Sequence, residues 1–306
     1  MLTIINNNTD PSFNLAVEEY VLKYLNITED FLLIWQNKKC VVIGRNQNPF
    51  NDLNGSFINK NHIPVVRRAT NEKAIYYDDG CINFAFVVST SKAKIGDFKY
   101  FLDPVVKVLN RIGINAHIKN KQHLYVDKDQ ISLDFQNVFK DKIIHHGIIY
   151  LDSNLSYMKL INKYDRKISI VNAKKHFKQP MTVSMFRLLL LNELLGGKVS
   201  NKVYKLDSID FKRINQLVTK KYGNWDWNYG ESKEFLVKKE FEKRMLVTLI
   251  IKRGFIRDVT VDSFEENNVK IEKALLNVRF DEVSLKEAIS SLDDIDSEKF
   301  IDKIMY

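Results

Sequence analysis

Residues 32–50, LLIWQNKKCVVIGRNQNPF, constrain this chain more than any other run. Residues 32–35 and 40–43 are short apolar segments on either side of a polar connector at 36–39. Aliphatic and aromatic side chains bounded by turn formers read as strands, and the short spacing predicts a hairpin. The second segment runs into Gly44-Arg45-Asn46-Gln47-Asn48-Pro49, a polar loop rich in donors that cannot be core.

Punctuation elsewhere divides the chain into alternating elements. Asp10-Pro11 makes a helix start, with Phe13, Ala16, Val17, Tyr20, Val21 and Leu25 on one face behind it. Strands are predicted over 63–66, 74–77, 81–88, 114–118, 124–126, 130–132 and 143–151, and helices over 98–112, 185–195 and 206–222. Beyond residue 230, strands over 235–252 and 255–261 turn at Arg253-Gly254. Ser284 and Glu287 read as a capping box for a helix to residue 290, and a last helix covers 297–304. Hairpin-linked strands mixed with helices imply an α+β fold, with mixed or antiparallel sheets flanked by helices and a second, smaller α+β domain. A chain of 306 residues, 45% aliphatic and aromatic with 5 prolines, can bury two such cores.

The 47 Lys and Arg against 38 Asp and Glu leave +9, scattered along the chain as a solvated surface. An acidic protein or a nucleotide suits that balance; nucleic acid is a distant third reading, because no basic stripe with interleaved aromatics occurs. Cys40 and Cys81 lie in apolar runs without metal-ligand spacing, as buried thiols of a reducing compartment. The amino terminus is no signal peptide, and no aliphatic run approaches a membrane span, so a cytoplasmic location is expected and no membrane partner. No metal site is nominated.

The tryptophan strand followed by Ile43-Gly44-Arg45-Asn46-Gln47-Asn48 resembles the lipoate–protein ligase A family, as do DPSFNLAVEEY in the first helix, His145-His146-Gly147, and Trp225-Asp226-Trp227-Asn228-Tyr229-Gly230. The resemblance implies a biotin/lipoate ligase-like domain over 1–230 and a small accessory domain over 231–306. It also implies a two-step reaction: lipoate and ATP with Mg form lipoyl adenylate, and an acceptor lysine then attacks the activated carbonyl. The implied partners are a lipoyl acceptor domain, of a 2-oxoacid dehydrogenase E2 or a glycine cleavage H protein, or an active lipoate ligase paralogue.

By the same resemblance the ligand contacts are Leu15, Glu19, Trp35, Arg45, Arg68, Tyr77, Asp78, Asn83, His146 and Gly147. The family's glycine-rich phosphate cradle is here Arg67-Arg68-Ala69-Thr70-Asn71-Glu72-Lys73-Ala74-Ile75-Tyr76-Tyr77-Asp78, and its three glycines are Asn71, Glu72 and Lys73. Glycine suits a cradle because only a residue without Cβ lets backbone approach a phosphate so closely. The lysine that meets the adenylate is at the position of Gln130, which carries no charge. Lys128, two residues earlier, would share its face in an extended strand but start about 6–7 Å away; Lys73 is the other substitute. Leu133 and Phe135 replace small residues and fill ligand space. Cys81 would suit only a thioester route. The frame is thus retained and the adenylate contacts exchanged, which points to a protein of lipoylation with lost or greatly weakened adenylation, acting as a binding or regulatory partner. A divergent but active ATP-dependent ligase is the alternative.

Overall fold

A computed structural model describes residues 1–70, 73–163, 169–242, 245–263, 268–292 and 295–306. Strand β1 (Leu2–Ile5) leads to helix α1 (Pro11–Lys23). Asp10 starts the helix by accepting from the Ser12 and Phe13 amides at 2.9 and 3.2 Å, and Pro11 has no N–H to satisfy. Strands β2 (Phe31–Trp35) and β3 (Cys40–Ile43) follow, then short helices α2 (Pro49–Asp52) and α3 (Gly55–Lys60). Next come β4 (Val65–Arg67), β5 (Ile75–Tyr77), β6 (Cys81–Ser89) and α4 (Phe98–Arg111). The chain continues through β7 (Ala116–Lys119), β8 (His123–Val126), β9 (Asp129–Gln130), β10 (Ser132–Phe139) and β11 (Lys142–Tyr150). Helices α5 (Leu155–Ile161), α6 (Val183–Leu194) and α7 (Ser208–Leu217) precede β12 (Phe235–Glu240), β13 (Leu246–Lys252) and β14 (Phe255–Asp262). Helices α8 (Asn268–Leu275), α9 (Glu282–Ile289) and α10 (Ser297–Met305) complete the α+β fold.

Among the described residues the strands make a five-stranded sheet, β1-β2-β6-β11-β10, and three-stranded sheets β4-β3-β5, β7-β8-β9 and β12-β13-β14. The hairpin expected of β2 and β3 does not form: β2 lies between β1 and β6, and β3 between β4 and β5. Every residue of both strands is buried. A strand apolar on both faces needs neighbours on both edges and cover above and below, so each takes the interior of its own sheet. The turn expected at Arg253-Gly254 does join β13 to β14; both residues have positive φ, 52° and 75°, as a tight hairpin turn requires. The cap of α9 is Asp281, not Ser284: its carboxylate accepts from the Ser284 amide and hydroxyl, each at 3.0 Å.

Alternation along the five-stranded sheet assigns its two faces. Leu32, Ile34, Phe84 and Phe86 pack with Phe101 of α4 and Phe186 of α6. Phe31, Leu33, Trp35, Ala85, Val87 and Ile144 pack with Ala16, Val17 and Tyr20 of α1. In β11 this sends His145 to the α4 side, its ring stacked 4.8 Å from that of Phe101, and His146 to the α1 side.

Candidate functional site

On the α1 side a narrow cavity of about 60 Å³ opens among α1, β5, β10 and β11. Ordinary small-molecule sites run to roughly 300–1,000 Å³, so this one is nearly filled by its own side chains. Leu15, Glu19, Arg68, Tyr77 and His146 line it. Trp35, Asn83 and Gly147 stand behind His146. The Trp35 ring meets the imidazole edge-on at 5.2 Å, and Asn83 Oδ1 lies 3.4 Å from His146 Nε2. A Cβ on Gly147 would sit 2.0 Å from the Phe84 ring, which is why no side chain is tolerated there.

Arg45 and Asp78 are directed elsewhere. Arg45 pairs with Glu231 at 2.7 Å and lies over the Trp227 ring at 4.4 Å. Asp78 accepts from the Gly80 and Asn154 amides at 3.0 and 2.8 Å, building a turn. Arg68 donates to the carbonyls of Val42 and Lys73, at 2.9 and 2.5 Å, and its guanidinium faces the Phe135 ring at 5.9 Å. Lys73 is exposed. Asn71 and Glu72 lie outside the described residues.

Glu18, Lys221 and Tyr222 were not among the residues nominated from the sequence. Glu18 Oε1 lies 3.3 Å from His146 Nδ1, while its Oε2 is buried with no hydrogen-bond partner. The side-chain nitrogen of Asn83 is likewise buried and unpartnered. The two ring nitrogens of His146 thus face Glu18 and Asn83, and turning the Asn83 amide over would direct its NH₂ at Nε2. Glu19 is gripped by Lys221 at 2.5 Å, by Lys23 at 3.1 Å and by the Tyr222 hydroxyl, which donates to it. Burial acts to raise the Glu19 pKa, but the hydrogen bonds from Lys221 and Tyr222 and the nearby positive charge hold it below the ordinary value. Burial lowers that of Lys221 in turn. Lys221 and Tyr222 lie more than two hundred positions from Glu19, beyond the reach of spacing arguments.

Gln130 is buried in β9, accepting from the Tyr125 hydroxyl at 2.9 Å and donating to the Ser132 carbonyl at 2.8 Å. Lys128 does not share its face, because it sits exposed in the turn between β8 and β9, where Asp127 has φ 52°. The same-side relation of an extended run is therefore lost at this site. Phe135 lines the pocket as a cross-strand neighbour of His146.

The family model of the lipoyl protein ligase A/B catalytic domain matches residues 10–194. The chain belongs to that family. Lipoate-protein ligase LplJ of Bacillus subtilis is 31% identical to it over 99% of this chain and all of that protein. Among solved structures, LipL1 of P. falciparum in complex with lipoate is similar over 99% of this chain and 98% of that one, with TM-score 0.61 and 22% identity. The bi-partite lipoate protein ligase of Thermoplasma acidophilum, described with its E2 lipoyl domain, is similar over 76% of this chain and 98% of that one, with TM-score 0.65 and 18% identity.

Several features of this lipoyl protein ligase A/B family member bear on chemistry. Among the described residues no group of three or more His, Cys, Asp or Glu side chains is placed to hold a metal ion. Magnesium ordinarily draws much of its coordination from substrate phosphates. Cys81 is fully buried beside Cys40 in the β3–β5 core, and burial pushes its thiol up, away from the reactive thiolate. His145 is paired with buried Asp134, 3.5 Å away, on the face opposite the pocket.

Proposed function

We propose that this chain is a lipoate–protein ligase-type component of protein lipoylation whose acyl pocket is retained and whose adenylation chemistry is greatly weakened. In this reading Leu15, Glu19, Arg68, Tyr77 and His146 form the acyl site, with Trp35, Asn83 and Gly147 shaping it from behind. ATP and Mg are used poorly, and the protein acts by binding a lipoyl acceptor domain or an active ligase paralogue. The observation that carries the reading is Gln130, a neutral amide tied to Tyr125 and Ser132 where the family places a cation. Loss of one buried donor or cation from a transition state commonly costs on the order of 10²–10³ in rate. Two fully buried thiols suit a reducing, cytosolic setting, and no helix among the described residues is long and apolar enough to cross a membrane.

Identity of 31% with LplJ along the whole chain favours the second reading, an active ligase that uses Lys128 or Lys73. Lipoate-dependent exchange of pyrophosphate into ATP decides between them. The first reading expects exchange near background in the wild type, rising on the order of 10²-fold in Gln130→Lys. The second expects robust wild-type exchange that Lys128→Ala or Lys73→Ala abolishes, and that result would end the first.

A further inference from the structure

We propose that Gln136 and His145 form a proton-sensitive clasp: the neutral imidazole holds the 90–97 loop to edge strand β10, and protonating it releases that loop. The clasp lies on the α4 side of the five-stranded sheet and does not depend on how the pocket beside α1 is read. The Gly96 amide, which can only donate, gives its hydrogen to Gln136 Oε1 at 2.6 Å. That bond fixes the orientation of the side-chain amide, so the Gln136 NH₂ points at His145 Nδ1, 3.3 Å away. Nδ1 must then accept, and the single proton of a neutral His145 sits on Nε2. Nε2 faces Asp134 Oδ1 at 3.5 Å, while Asp134 Oδ2 accepts from the Ser132 hydroxyl.

A second proton has one place to go. It enters at Nδ1, where it meets the NH₂ of Gln136, and two donors cannot bond each other. Turning the Gln136 amide over would satisfy His145 but set the NH₂ against the Gly96 amide, so either way one bond is lost. The surroundings favour the neutral ring. The imidazole is fully buried among the Phe84 and Phe86 rings of β6 and the Phe98 and Phe101 rings of α4. Burial lowers its pKa against the pull of Asp134, and His146 on the other face and His123 of β8 lower it further. His123 Nδ1 lies 3.4 Å from Asp134 Oδ2 and accepts from the Asp134 amide at 3.1 Å, on the side of the carboxylate away from His145. Because the folded value of His145 lies below the ordinary 6.5, the clasp is complete above pH 6.5 and is lost as the pH falls through the folded value. Gly96, Asp97 and Phe98 also wall a cleft of about 560 Å³ against Ala116 and Ile118 of β7, which release of the loop reshapes.

Two measurements on the full-length protein read the clasp. Hydrogen exchange at Gly96, corrected for the intrinsic pH dependence of exchange, follows the loop, and two-bond ¹H–¹⁵N spectra of labelled histidine follow the ring. At pH 8 His145 is expected as the Nε2–H tautomer with the Gly96 amide protected. Protection should fall about tenfold between pH 8 and pH 5, the factor that a single hydrogen bond carries. Gln136→Glu presents a carboxylate that accepts from the Gly96 amide and from a protonated Nδ1 together, so its loop stays protected at pH 5. Gln136→Leu leaves Gly96 poorly protected at every pH. His123→Gln keeps the wild-type response, because that ring is not part of the clasp. A wild-type loop equally protected at pH 5 and pH 8 overturns the proposal, as does an Nδ1–H tautomer at pH 8. The same acid-dependent loss in Gln136→Glu as in wild type also overturns it. Wild-type exchange and spectra carry the test if a variant does not fold.

Discussion

A carboxylate as buried as that of Glu19 persists in charged form only while its partners hold it. Lys221 Nζ lies 2.5 Å away, and Tyr222 and Lys23 close the remaining directions. We expect Lys221→Met to cost about 1–3 kcal/mol at pH 7, below the roughly 3–5 kcal/mol of a fully broken buried pair because Lys23 and Tyr222 still hold the carboxylate. The pH dependence follows from linkage. The folded-state pKa of Glu19 lies below its ordinary 4.5, so its contribution is complete above 4.5 and is lost as the pH falls through the folded value. The difference between wild type and variant should therefore be largest at neutral pH and shrink below about pH 4.5. Urea denaturation at pH 7 and pH 4 measures it; a difference independent of pH would remove the assigned role. Leu15 and Glu19 were nominated only through the family resemblance of the first helix, whereas Glu18 and Lys221 were not nominated at all, since their importance comes from His146 and Glu19 across the pocket.

At the end of β4, Arg67 joins elements that are far apart in sequence. Its guanidinium donates to the carbonyls of Gly44, Arg45 and Gln47 at 3.1, 3.0 and 2.6 Å. It also reaches the Trp227 and Asn228 carbonyls, each at 2.9 Å, and Ser232 Oγ at 3.2 Å. Burial lowers its pKa to about 10, which leaves the group charged at neutral pH. A lysine has one compact ammonium with three donors and cannot span this fork. Arg67→Lys is expected to lose about 3 kcal/mol by urea denaturation, with the orphaned carbonyls near Gly44 as the cause. A loss below about 0.5 kcal/mol would mean that water replaces these bonds. The strand segments at 32–35 and 40–43 were readable from composition, yet their pairing was not. Local spacing favours a hairpin, and only the demand of two fully buried strands for cover sends them to different sheets.

Across the whole molecule, three apolar clusters draw their buried residues from the part of the chain before residue 230, and a fourth runs from Phe235 to Ile304. We propose a domain boundary near Gly230, with units 1–230 and 231–306. Phe50 of α2 crosses that boundary: its ring lies 5.4 Å from Phe235, 5.1 Å from Phe280 and 5.6 Å from Tyr229. Replacing a buried phenylalanine by alanine costs 3–5 kcal/mol, and Phe50 is partly exposed, so Phe50→Ala should cost about 2–3 kcal/mol. We expect that loss to separate the unfolding of the two units, so that tryptophan fluorescence and far-ultraviolet dichroism no longer coincide. Coincident transitions in the variant would argue for a single cooperative unit.

Residue types and their spacing determined the α+β class, the Asp10 cap and the Arg253-Gly254 turn, and the resemblance of its motifs pointed to the family. These depend on short-range rules: strand and helix periods, φ preferences and the chemistry a single position can offer. Tertiary structure alone decided which strands share a sheet, and that Lys128 turns outward while Arg45 goes to Glu231 and Lys221 to Glu19. It also decided that Phe135 narrows the cavity beside His146. Those outcomes come from burying both faces of a strand and pairing charges taken from water, between residues whose separation along the chain carries no information about their distance in space.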